Sequence, residues 1–143
     1  MPAMAPLPVR PSGAANRTLW PIVWACKPAA KVILVSDAIS LAGAGEGTLH
    51  LGDMTVEVTR DRSTLAGTDT LAGSVISLDT AVRNVAESGV PLPQAVAAAT
   101  RNPLELIQVH DRGRLAPGQR ADLVVLDGGL CVQTVLLAGE EVA

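Results

Sequence analysis

Phenylalanine and tyrosine are absent from the chain, and its two tryptophans, Trp20 and Trp24, both stand near the start. Everything after Trp24 must build its core from Val, Leu, Ile and Ala, which bury less area per side chain than aromatic rings do. The same shortage removes the stacking platform on which single-stranded nucleic acid is bound. No cluster of Lys and Arg replaces it at a net charge of −3, so no nucleic-acid partner is expected. Long apolar runs are missing too. The longest near the N-terminus, residues 19–26, is interrupted by Pro21, whereas a membrane span needs about 20 apolar residues. Where a secretory signal would carry its apolar stretch, the chain has Pro2, Pro6, Pro8 and Pro11. Cysteine is scarce: Cys26 and Cys131 lie far apart and form no CxxC pair, which fits two reduced thiols in a cytoplasmic protein.

What is present is apolar enough to fold. Hydrophobic residues make up 48% of the chain, and its 143 residues can enclose one sizeable core. Residues 1–19 carry neither a helical nor a strand period and are read as an irregular Pro-rich leader. A short helix is expected over residues 20–27, before Pro28. Residues 31–37, Lys-Val-Ile-Leu-Val-Ser-Asp, run apolar without alternation, which predicts a strand buried on both faces, as in a parallel α/β sheet.

Residues 48–65 show spaced apolar residues around a Gly52-Asp53 turn and predict one or two short antiparallel strands. A helix is expected over 74–87, with Leu78, Val82 and Val85 on one side, a cap at Ser77 or Asp79, and a stop at Gly89. Pro93 opens another helix that runs to about Arg101, and Asn102 caps a restart at Pro103. Two more strands are expected at 121–126 and 132–137.

Three segments, in order, resemble the amidohydrolase superfamily: Leu34-Val-Ser-Asp37-Ala38, Ala99-Thr-Arg-Asn102-Pro103, and Gly113-Arg-Leu-Ala-Pro-Gly118 with the following Ala121-Asp122-Leu-Val-Val-Leu. A narrower signal is Thr70-Leu71-Ala72-Gly73-Ser74, followed by Leu78-Asp-Thr-Ala-Val-Arg83-Asn84 and Glu87-Ser-Gly-Val. From residue 24 or so onward, the chain is similar to the N-acetylglucosamine-6-phosphate deacetylase family.

The resemblance implies an α/β fold class: the C-terminal fragment of a (β/α)8 TIM barrel plus part of a small β-sandwich domain. Residues 24–112 would be the partial barrel, with its last strand ending at Asp37. Residues 113–143 would be the sandwich segment, and residues 1–23 an unmatched leader. It also implies a divalent metal, zinc or iron, and hydrolysis of N-acetylglucosamine 6-phosphate, a small sugar phosphate, to glucosamine 6-phosphate and acetate.

A complete barrel takes about 250 residues, and the family's Glu and His ligands have no counterpart here. Two alternatives follow. One is a truncated, inactive remnant, or a module dependent on a partner chain, whose leader arose from a frameshift or a misplaced start. The other is a different amidohydrolase, such as a dihydroorotase-like enzyme. A buried strand without barrel neighbours would expose apolar faces, so self-association is also expected.

Asp37 lies at the end of the predicted strand, the place from which barrel enzymes project catalytic groups. By spacing alone it is equally a turn or cap residue. The resemblance makes it the carboxylate that takes a proton from water and then passes it to the leaving amine, beside a metal that lowers the pKa of its bound water to around 7. Leu71, Ala72 and Gly73 match the family's substrate-contacting loop; alone, they read as an ordinary turn. Gly43, Gly45 and Gly47 lack the Gly-Lys-Ser/Thr of a phosphate loop. His50 and His110 lack a second ligand at useful spacing and read as surface residues. Arg112, Arg114 and Arg120 read as a solvated basic face, and Asp122 as a residue that sets strand register or a turn.

Overall fold

A computed structural model of the chain describes residues 19–142, so the expectations for residues 1–18 lie outside the described residues. The described residues form two compact units of mixed helix and sheet. One contains Ser36–Ser77; the other joins Leu19–Val35 to residues 78–142.

The first unit is built on strands β1 (Gly47–Leu51), β2 (Met54–Val58) and β3 (Ser63–Leu65), antiparallel in that order. Gly52 takes φ 60° in the two-residue link between β1 and β2, a conformation that glycine adopts without steric cost. Val56 and Val58 face inward and Glu57 outward, the period of two that the pleat imposes. The third strand exceeds the one or two expected. Ser63 and Thr64 carry no apolar signal, yet the turn closed by Thr59 N–H on Arg62 O (2.9 Å) folds them back against β2.

The second unit opens with α1 (Leu19–Cys26), the short helix expected over residues 20–27; the leader assigned to residues 1–23 is therefore helical, not irregular, from Leu19 onward. Trp20 and Trp24 lie one turn apart on α1 and meet edge to face with ring centroids 6.2 Å apart. They join Val32, Leu34, Val82, Val85, Val90, Ala95 and Ala98 in the main core. Val82 and Val85 come from α2 (Leu78–Glu87), and Ala95 and Ala98 from α3 (Leu92–Ala99). Alanine at these last two positions lets a backbone come close: Leu34 N–H donates to Ala98 O at 2.9 Å.

That contact corrects the expected strand at 31–37. Among the described residues, no strand ladder runs along it. Val32 and Leu34 are buried, while Val35 is 64% exposed, so the segment is covered on one side and not on both. Apolar continuity signalled burial correctly but could not distinguish a helix partner from a neighbouring strand.

Asn102 is a second correction. Thr100, not Asn102, stands before α4 (Arg101–Leu106) and makes no side-chain cap. Asn102 is buried inside the first turn, and its Nδ2 donates to Ala29 O at 2.8 Å and Val32 O at 2.7 Å. At its other end, α4 closes through Gln108 at φ 60°, with Gln108 N–H on Glu105 O (3.2 Å) and Val109 N–H on Leu104 O (2.9 Å). This is the Schellman arrangement, which usually employs glycine.

The tail forms strands β4 (Leu123–Leu126), β5 (Val132–Leu137) and β6 (Glu140–Glu141), antiparallel in that order, with an irregularity between Val125 and Leu126. Asp122 ties its start: one oxygen accepts Ala138 N–H at 2.9 Å, and the other accepts Arg112 Nη1 at 3.0 Å. The expected solvated basic face is an ion-paired cluster instead. Arg112 also pairs with Asp111, Arg120 with Asp122, and Arg114 with Glu105.

Candidate active site

Asp37 lies two residues beyond Val35, exposed, with φ 49°. Asp is among the few non-glycine residues that enter this left-handed region with any frequency, and such positions often mark functional sites. No hydrogen bond or ion pair from another described side chain engages its carboxylate.

The backbone around Asp37 is clamped to residues 73 and 74. Ser74 N–H donates to Asp37 O at 2.8 Å, and Ile39 N–H donates to Ser74 O at 3.0 Å. Ala38 and Ser74 thereby form a parallel bridge. Gly73 sits at φ +134° in the middle of this contact. A Cβ built there would meet Ile39 Cγ2 at 2.6 Å and Asp37 O at 3.2 Å, so the junction requires glycine for two reasons. Sequence reading separated Asp37 from Leu71, Ala72 and Gly73 by more than thirty positions; the fold brings the two segments into contact.

The loop is fixed from its other side by β3. Leu71 bridges Thr64, Ala72 N–H donates to Ser63 O at 3.1 Å, and Ser63 Oγ donates to Gly73 O at 2.9 Å. Leu71, Ala72 and Gly73 are half-buried, so each still presents a surface. Ser63 was not singled out from the sequence. Its only signal there was a polar residue at a strand position.

His50 Nδ1 pairs with Thr55 Oγ1 at 3.3 Å on the hairpin, and His110 is exposed. Among the described residues, no three of His, Cys, Asp and Glu gather as an ion-binding group. The residues present therefore do not by themselves fit a catalytic metal, which takes about three protein ligands. Cys26 and Cys131 are free and exposed. Among the described residues, no helix is long and apolar enough to cross a membrane.

The profile of the amidohydrolase family matches residues 25–142. N-acetylglucosamine-6-phosphate deacetylase of Bos taurus is 39% identical over 111 residues, which are 76% of this chain and 27% of that protein. A putative N-acetylgalactosamine-6-phosphate deacetylase of Escherichia coli K12 is 35% identical over 119 residues, covering 80% of this chain and 70% of that protein. Among solved structures, a mutant N-acetyl-D-glucosamine-6-phosphate deacetylase of Mycobacterium smegmatis, in complex with N-acetyl-D-glucosamine-6-phosphate, superposes with TM-score 0.80 at 33% identity. That match covers 87% of this chain and 34% of the other. The chain thus spans about a quarter of the bovine relative's length.

Proposed function

The chain belongs to the amidohydrolase family, and from that premise we propose that it serves N-acetylglucosamine-6-phosphate deacetylation: hydrolysis of the acetamide to glucosamine 6-phosphate and acetate. The observation that carries this reading is the Asp37–Gly73 junction. It holds the backbone of the exposed Asp37 against the end of the Leu71, Ala72 and Gly73 loop, through Ser74 N–H on Asp37 O.

Amide hydrolysis needs a proton taken from water as it attacks the carbonyl, and a proton given to the departing nitrogen. One carboxylate can do both in sequence. Asp37 is the residue proposed for that shuttle. Leu71, Ala72 and Gly73 are the residues proposed to contact the sugar phosphate; the half-buried loop presents backbone and small side chains that a ligand can approach closely. The family is generally metal-dependent, with zinc or iron the ions expected. The described residues do not by themselves gather a ligand set for such an ion.

The same proposal assigns residues 24–112 to the closing part of a (β/α)8 barrel and 113–143 to a β-sandwich segment. Cytoplasmic location and self-association belong to it as well. Val124 and Val125, on opposite faces of edge strand β4, are 56% and 48% exposed, which supports association of that edge. The remnant and dihydroorotase-like alternatives gain nothing from the relatives, which are named as deacetylases of amino-sugar phosphates.

The test is acetate release, followed by proton NMR, from the purified chain with added zinc or iron. N-acetylglucosamine 6-phosphate and N-acetylgalactosamine 6-phosphate are supplied in separate reactions. Release that Asp37→Asn abolishes supports the reading. Equal release by wild type and Asp37→Asn, or none from either substrate, sinks it for this chain.

A further inference from the structure

The peptide unit joining Gly73 to Ser74 is held at both ends. Its N–H donates to Asp37 O at 2.8 Å, and its carbonyl accepts Ser63 Oγ at 2.9 Å. A peptide is a rigid plane, so two bonds on opposite edges fix its orientation. We infer that Ser63 is a positioning residue for the site: its hydroxyl sets the Gly73–Ser74 peptide, and through it the relation between the Asp37 backbone and the substrate loop. The inference rests on the function proposed above for those residues.

Ser63 is well suited to this. It is fully buried on β3, where an apolar side chain would ordinarily stand, and a buried hydroxyl is costly unless it is bonded. Its own backbone adds a second grip, since Ser63 O accepts Ala72 N–H at 3.1 Å. Gly73 has no Cβ with which to resist rotation, and at φ +134° its conformation is one that other residues rarely adopt. The orientation of this peptide therefore depends on its hydrogen bonds more than on local sterics. Removing the hydroxyl leaves the N–H bond to Asp37 and frees the opposite edge.

The test uses the full chain, with Ser63→Ala and Ser63→Cys, and reads amide exchange by NMR. In Ser63→Ala, the amides of Ser74 and Ile39 are expected to exchange about tenfold faster, the order of one lost buried hydrogen bond, while amides of the β1–β2 ladder stay unchanged. Ser63→Cys keeps a weak donor of similar size and is expected to fall between. A titration with N-acetylglucosamine 6-phosphate, read from the resonances of residues 71–73, is expected to show about tenfold weaker binding in Ser63→Ala. Ser74 and Ile39 exchange within about twofold of wild type overturns the inference, and so does equal acceleration of the β1–β2 ladder, because a single bond's loss acts locally.

If Ser63→Ala does not fold, Ser63→Cys carries both measurements. In the folded wild type, moreover, the Ser63 hydroxyl proton is expected as a slowly exchanging resonance; solvent-rate exchange overturns the inference without any variant. Wild-type resonances at 71–73 that ignore the sugar phosphate overturn the substrate reading alone, and the exchange rates still decide the role of Ser63.

Discussion

Asn102 Nδ2 donates to Val32 O at 2.7 Å and to Ala29 O at 2.8 Å, so one buried amide closes the loop between α1 and the extended segment that leads to Asp37. Neither carbonyl lies in a regular ladder, and burying an unbonded carbonyl is costly. The side chain therefore supplies what a neighbouring strand would otherwise supply.

Replacing Asn102 with Ala removes both bonds and leaves an acceptor stranded. We expect a loss of about 2–4 kcal/mol in urea unfolding monitored by circular dichroism. A loss under about 0.5 kcal/mol, the range of surface substitutions, would show that the two bonds do not hold this segment.

Gly73→Ala places a methyl against Ile39 Cγ2 and Asp37 O. Because Cγ2 branches directly at Cβ, it cannot swing away as the end of a long side chain does. The substitution should destabilise the chain by about 2–4 kcal/mol through overlap and an unfavourable φ. Adding Ile39→Ala should return part of that loss by relieving the side-chain overlap but not the backbone strain. A double-mutant cycle measures the coupling; strict additivity would show that the two residues do not touch.

Gln108→Gly should do the opposite. Gln108 occupies the left-handed position of a Schellman cap at φ 60°, where a Cβ costs roughly 1–2 kcal/mol. Some of that gain is offset by the freedom glycine adds to the unfolded chain, leaving about 1 kcal/mol of stabilisation. Thermal melting reads it directly, and a lowered melting temperature would refute it.

Asp111 supplies a dependence on pH. The hydrogen bond from Arg112 holds its carboxyl below the ordinary value of 3.8, with that guanidinium's charge acting in the same direction. A depressed folded-state value contributes stability above pH 3.8 that fades as pH falls through the folded value. Wild type should therefore exceed Asp111→Asn in denaturation midpoint at neutral pH, by a small margin because the pair is exposed to solvent. The two should converge under strong acid. A gap that persists unchanged in acid would exclude this origin.

The sequence alone determined the helices and the β1–β2 and β4–β5 hairpins, because their signals are local. Leu78, Val82 and Val85 repeat at the helical period; Gly52-Asp53 and the prolines mark the breaks; and the ordered motifs around Asp37, Gly73 and Asp122 carried the family resemblance. Tertiary structure alone decided which groups are brought together by partners distant in the chain. It turned Asn102 from an expected cap into a clasp on Val32, gave the segment at 31–37 helix neighbours instead of a strand ladder, and made Ser63 a donor to Gly73. Burial can be read from an apolar run because it depends on the run itself. A hydrogen bond between residues seventy positions apart, such as Asn102 to Val32, depends on where the whole chain places both ends.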